Sequence, residues 1–172
     1  ASGLSMPLGF KNTISGDLKA AINAIKAAMR SQTFLGVSDQ GIASAVTTSG
    51  NPDCHLILRG GENGPNHDSG SVAAALATLK DAQLPPHLMI DASHANCGKD
   101  CNKMPAVFRE IVAQRADGNT GVTSAMLESN LVAGNQPFPQ PLSDLTYGQS
   151  ITDQCIDWDT TVELLREAHA AL

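Results

Sequence analysis

Four short apolar runs, each closed by one charged or ligating side chain and followed by a loop and a helix-like stretch, constrain this chain more than any other feature. The runs end at Lys11 in MPLGFKN, Arg59 in CHLILRGG, His94 in LMIDASHAN and Glu128 in VTSAMLESN. Strand and helix alternating in this way build a parallel sheet with right-handed crossovers. Parallel strands share one direction, so the residues at their C-terminal ends converge on one rim, where α/β enzymes keep their chemistry. Two cations and two potential metal ligands at such a rim point to a site for a phosphorylated substrate.

Between the strands, the apolar spacing of Leu18, Ala21, Ile22, Ile25 and Met29 predicts a helix over 17–30, with cap-type residues at Ser15-Gly16-Asp17. Phe34–Val37 and Ile42–Thr47 flank Ser38-Asp39-Gln40-Gly41 and read as a hairpin inserted at 34–47. Val72, Leu76 and Leu79 line a second helix that stops before Pro85-Pro86. Met104, Val107, Phe108, Ile111 and Val112 line a third, with Pro105 tolerable in its first turn. The segment 132–157, with Pro137, Pro139, Pro141 and Gly148, reads as a long loop, and Trp158, Val162, Leu165 and Leu172 mark a last helix. The fold class is therefore α/β, built of parallel (β/α) units in a single domain over 1–172, either a small open sheet or half of a barrel.

Composition narrows the partners. The 172 residues suffice for one domain with a real core but fall short of the about 250 usual for a closed eightfold barrel. A net charge of -6 and no basic tract argue against nucleic acid or an anionic membrane as the main partner, so any anion site must be a local pocket. No apolar run approaches the ~20 residues that span a bilayer, and no signal-peptide pattern opens the chain, which makes a cytoplasmic location the expectation. Cys54, Cys97, Cys101 and Cys155 read as reduced thiols. The Cys97/Cys101 pair resembles half a zinc site, but no second pair with finger-like spacing follows.

Lys11 and Arg59 qualify as anion ligands, Arg by forking onto two phosphate oxygens and Lys by supplying a compact charge, and Gly60-Gly61 would let backbone approach a ligand closely. A single charged residue ending a strand is more often simply solvated; the flanking glycines and the repeat of position across units lift the pair above that. His94 and Glu128 carry donors suited to a borderline divalent metal. Asp153 could join them from the long loop or could cap the last helix near Asp157. Asp91, ending the third strand, could orient His94. His55, His67, His87 and His169 show no ligand spacing and read as structural or exposed.

The motifs GFKN, CHLILRGG, MIDASHAN, AMLES, GNQP and SITDQCIDW, in this order and spacing, resemble the C-terminal half of the type I 3-deoxy-D-arabino-heptulosonate 7-phosphate (DAHP) synthases over essentially the whole chain. The resemblance implies strands five to eight of a (β/α)8 barrel. It implies condensation of phosphoenolpyruvate with erythrose 4-phosphate at the entry to the shikimate pathway, with a divalent metal of the manganese, iron, cobalt or zinc type. It assigns Lys11 and Arg59 to phosphoenolpyruvate and His94, Glu128 and Asp153 to the metal, with Lys11, Arg59 and His94 as catalytic residues.

The same resemblance makes the hairpin part of an aromatic amino-acid feedback site lined by Leu4, Phe34, Gly36 and Val46. Gly36 leaves room for a hydroxyl and favours tyrosine over phenylalanine as effector. Ala92 departs from the Phe of the family's DFSHAN motif. A fourth metal ligand, a Cys on the first barrel strand, a Lys-Pro-Arg segment and a further Arg have no counterpart in the sequence. The expectation is a fragment that is inactive alone and completed by a missing N-terminal half or by a homo-oligomer. The alternative is a non-catalytic fragment binding a phosphate ligand or an aromatic amino acid. A generic metal-dependent hydrolase would leave Lys11 and Arg59 unexplained.

Overall fold

Each of the four apolar runs forms a strand, and the four lie side by side in one parallel sheet. In the computed structural model, which describes residues 1–172, they are Leu8–Lys11 (β1), Cys54–Leu58 (β4), Leu88–Asp91 (β5) and Val122–Met126 (β6), in the order β1-β4-β5-β6. Helices Lys19–Ala28 (α1), Ser69–Asp81 (α2), Met104–Ala116 (α3) and Trp158–Ala171 (α4) follow them in turn. Alternation along the strands divides the side chains between two faces. Leu56, Leu58, Leu88 and Ile90 point to the helices and are fully buried with Ile25, Val72, Leu79, Met104, Ile111 and Leu164. Burial of each such side chain contributes ~1.5–3 kcal/mol. Lys11, Ile57, Met89 and Asp91 take the opposite face.

One irregularity decides which face the last strand offers. The pairing of β5 with β6 shifts register between Leu88 and Met89: Leu88 pairs with Val122, but Met89 pairs with Ser124. Thr123 is thus an extra residue, and its Oγ1 donates to the Leu88 carbonyl at 3.1 Å. A one-residue slip reverses every later side chain. Val122 and Ala125 therefore both face the core, Leu127 packs against it too, and Glu128 emerges on the face of Lys11 and Asp91.

The hairpin forms as expected from Thr33–Val37 (β2) and Ala43–Thr47 (β3), an antiparallel pair separate from the main sheet, with Gly41 in the left-handed region at φ 78. Thr48 Oγ1 donates to Ser2 Oγ at its base, while Leu35 and Val37 remain exposed. One expectation needs correction, and the last helix, which forms as read, buries a different set of side chains. Within 132–157, Val132–Asn135 (β7) and Gln149–Ser150 (β8) pair in parallel instead of staying loop. In α4 the buried side chains are Thr161 and Leu164, while Trp158 and Leu165 are 57% and 54% exposed. The helix is turned so that Leu164 enters the core and Thr161 Oγ1 meets Ser129 Oγ at 2.6 Å, a polar anchor that an apolar-stripe reading discounts. No helix is long and apolar enough to cross a membrane.

Asp68 and Asp157 cap α2 and α4, accepting from Ser71 N and Thr160 N. Hydrogen bonds from the Ser71 and Thr160 side chains, then from their backbones, hold both carboxyls below the usual range. A lowered folded pKa contributes stability above the ordinary carboxylate range that is lost as pH falls through the lowered value. Asp68→Ala and Asp157→Ala should each lose about 1 kcal/mol at neutral pH. Urea unfolding should show that loss narrowing as pH drops below about 3.9.

Candidate functional site

The strand ends deliver their polar residues to one rim. Lys11 closes β1, Arg59 follows β4, Asp91 closes β5 and Glu128 stands just beyond β6. His94 opens a single 3-10 turn, His94–Cys97, with its backbone in the left-handed region at φ 51. Non-glycine residues occupy that region seldom and at some energetic cost, commonly at functional sites. The conformation is held by Lys99 N donating to the His94 carbonyl at 2.7 Å and by Asn96 Nδ2 donating to the Asp91 carbonyl at 2.7 Å. It turns the imidazole back over the end of β5.

Asp91 is 0% exposed and lies at the centre of the rim. Its Oδ2 accepts from Lys11 Nζ at 2.7 Å and lies 2.9 Å from His94 Nδ1 without an aligned hydrogen bond between them, while its Oδ1 accepts from Ser93 N at 2.9 Å. On the other edge of the ring, His94 Nε2 lies 3.6 Å from Glu128 Oε1 and 3.7 Å from Asp153 Oδ2. One donor atom from each of these three residues falls within 4.8 Å of the others, a set that could hold a cation. Burial pushes the Glu128 carboxyl above the usual range. His94 pulls it down, and the nearby Asp153 and Asp91 push it up. Glu128 Oε2 is buried with no hydrogen-bond partner. An orphaned acceptor beside a second carboxylate and an imidazole nitrogen fits a borderline divalent cation.

Backbone pairing brings Asp153 to this place. Ile156 N donates to the Glu128 carbonyl and Asn130 N to the Ile156 carbonyl, both at 3.0 Å, while Gly134 and Cys155 exchange backbone bonds. Asn135 Nδ2 adds a bond to the Thr152 carbonyl. The capping role is filled by Asp157, so Asp153 is free to face His94.

Sequence reasoning passed over three asparagines that tie the strand ends together. Asn12 Oδ1 accepts from Arg59 N and its Nδ2 donates to the Gly60 carbonyl. Asn66 Oδ1 accepts from Gly60 N, and Asn96 Oδ1 accepts from Asn66 N. The signal was present for two of them, because Asn12 and Asn96 sit in the GFKN and MIDASHAN motifs just past their strands. Gly60, at φ 74, packs closely against the His94 turn: a Cβ there would lie 2.7 Å from Asn96 N and 2.8 Å from Ala95. Arg59 is held by its backbone, and its guanidinium makes no ion pair.

Cys97 and Cys101 are buried free thiols, and burial raises Cys97 above its ordinary value. Ala92 is fully buried in the core. Phe34 and Val46 are directly paired across the hairpin, and a Cβ at Gly36 would meet Val46 Cγ2 at 2.7 Å, so these three share one face. Leu4 is half-exposed in the segment that Ser2 ties to the hairpin base.

Known proteins share this chain from end to end. The sequence model of the DAHP synthetase I family matches residues 1–166. The Tyr-sensitive phospho-2-dehydro-3-deoxyheptonate aldolase of Escherichia coli is 48% identical over 172 residues, all of this chain and 48% of the relative. The Phe-sensitive enzyme of the same organism is 47% identical over 167 residues, 97% of this chain and 47% of the relative. The solved structure of phospho-2-dehydro-3-deoxyheptonate aldolase from Francisella tularensis superposes with a TM-score of 0.90 at 41% identity, covering 99% of this chain and 49% of that one. The chain thus spans about half the length of these relatives. A family match over nearly every residue, with the strand-end motifs in place, means that this chain belongs to the DAHP synthetase I family.

Proposed function

We propose that the protein carrying this chain condenses phosphoenolpyruvate with erythrose 4-phosphate to DAHP and phosphate, and that this chain is strands five to eight of its (β/α)8 barrel. The observation that supports this reading best is the convergence of Lys11, Asp91, His94, Glu128 and Asp153 on one rim. Lys11, already held in place by Asp91, would engage the phosphoenolpyruvate carboxylate, and Arg59 its phosphate. A divalent cation held by His94 Nε2, Glu128 and Asp153 would supply Lewis acidity toward the aldehyde oxygen. The enol-phosphate C3 then bonds to the aldehyde carbon, water adds at C2, and phosphate departs with cleavage of its C–O bond. Holding both reactants at one rim is the main contribution such residues make.

Residues 34–47 are proposed as a regulatory hairpin, with Leu4, Phe34, Gly36 and Val46 contacting an aromatic amino acid. Relatives named Tyr-sensitive and Phe-sensitive support an aromatic effector. In this reading the protein works in the cytoplasm, and the two sheet edges, β1 and β6, pair with the remaining barrel strands or a second copy. The other reading, a binding fragment without turnover, draws on the ungated guanidinium of Arg59 and the exposed hairpin. Phosphate release that requires both substrates and a divalent cation separates the two, and the 172-residue chain alone should show little of it.

His94→Ala should abolish Mn2+ binding measured by calorimetry; unchanged affinity would reject this ligand set. Because Glu128 is held above the usual carboxylate range, apo stability from its neutral form is present below that range and lost as pH rises through the raised value. Protons therefore compete with the cation, and Mn2+ affinity should rise with pH through that window. Glu128→Gln should flatten the dependence. Tyrosine should bind the complete protein more tightly than phenylalanine, and a titration giving the reverse order would reassign the effector.

A further inference from the structure

We propose that Asp91 is the positioning residue of this rim, fixing the His94 tautomer that leaves Nε2 unprotonated toward Glu128 and Asp153 while it tethers Lys11 on the same carboxylate oxygen. The proposal rests on the reading of His94, Glu128 and Asp153 as cation ligands. A carboxylate oxygen only accepts hydrogen bonds, so the ring nitrogen facing Asp91 Oδ2 at 2.9 Å, Nδ1, is the one that carries hydrogen. Nε2 then keeps its lone pair on the side where Glu128 Oε1 and Asp153 Oδ2 lie at 3.6 and 3.7 Å.

Asp91 itself has little freedom to do otherwise. Its Oδ1 is held by Ser93 N, and Ser93 Oγ in turn accepts from Glu128 N at 3.0 Å. The chain of contacts therefore runs from Lys11 through Asp91 and Ser93 to the backbone of Glu128. Nδ1 has no aligned hydrogen-bond partner, so the assignment rests on the 2.9 Å approach itself, at which two facing lone pairs would repel. The left-handed backbone of His94 sets the ring above a carboxylate three residues earlier, an orientation that an extended or helical residue would not give.

The test is Asp91→Asn, which keeps size and one acceptor oxygen but adds an amide donor and removes the charge. Long-range 1H–15N NMR of the metal-free wild type, with the His94 ring identified by its absence in His94→Ala, should show hydrogen on Nδ1 and none on Nε2. Asp91→Asn should give mixed tautomers and a Zn2+ affinity lowered roughly 10–100-fold by calorimetry. Hydrogen on Nε2 in the wild type overturns the proposal even if the variant does not fold. So does an unchanged Zn2+ affinity in folded Asp91→Asn when His94→Ala has lost binding. If His94→Ala retains Zn2+ binding, the cation-site reading itself has failed, and the silent variant identifies which of the two was wrong.

Discussion

A carboxylate shut away from water governs the arrangement of this molecule. Removing an ion from solvent carries an effective penalty of several kcal/mol unless partners surround it. Asp91 at 0% exposure requires such partners. They come from separate parts of the chain: Lys11 reaches across β4 from β1, Ser93 folds back its amide, and His94 leans in from the turn. The requirement of one buried charge thus draws three sequence motifs to one point. A rim assembled this way can present a cation, an imidazole and two further carboxylates within a few ångströms.

Around that charge the asparagines do a different job. Amides can donate and accept at once, so Asn12, Asn66 and Asn96 satisfy backbone groups at strand ends where the ladder has stopped. Their bonds hold the main chain of Arg59 and Gly60 without occupying the guanidinium. The loop bearing Asp153 is treated likewise, since the Ile156–Glu128 backbone bond leaves only a short stretch to be ordered. Both devices place ordering entropy in folding and spare it at ligand encounter.

Much of this could be read from the sequence. Strand and helix order followed from apolar periodicity, and the positions of Lys11, Arg59, His94 and Glu128 followed from strand polarity. Three features did not. The rotation of α4 escaped because Thr161 is polar yet buried through its bond to Ser129, whereas Trp158 and Leu165 are apolar yet exposed. The β7/β8 pairing escaped because Pro137, Pro139, Pro141 and Gly148 punctuate the segment between them and read as loop. The His94 backbone conformation escaped because no local pattern announces a left-handed histidine; tertiary bonds impose it.

The extra residue in β6 has a further consequence for how such a site is encoded. Strict alternation from Val122 would send Glu128 among the helices, where a carboxylate has no place. The inserted Thr123 acts as a phase correction, so the identity of the ligand is written at one position and its direction at another. Two chains could therefore share every chemical group of this rim and differ only in strand phase. One would offer three converging donors and the other two, and spacing carries that difference where residue identity is blind to it.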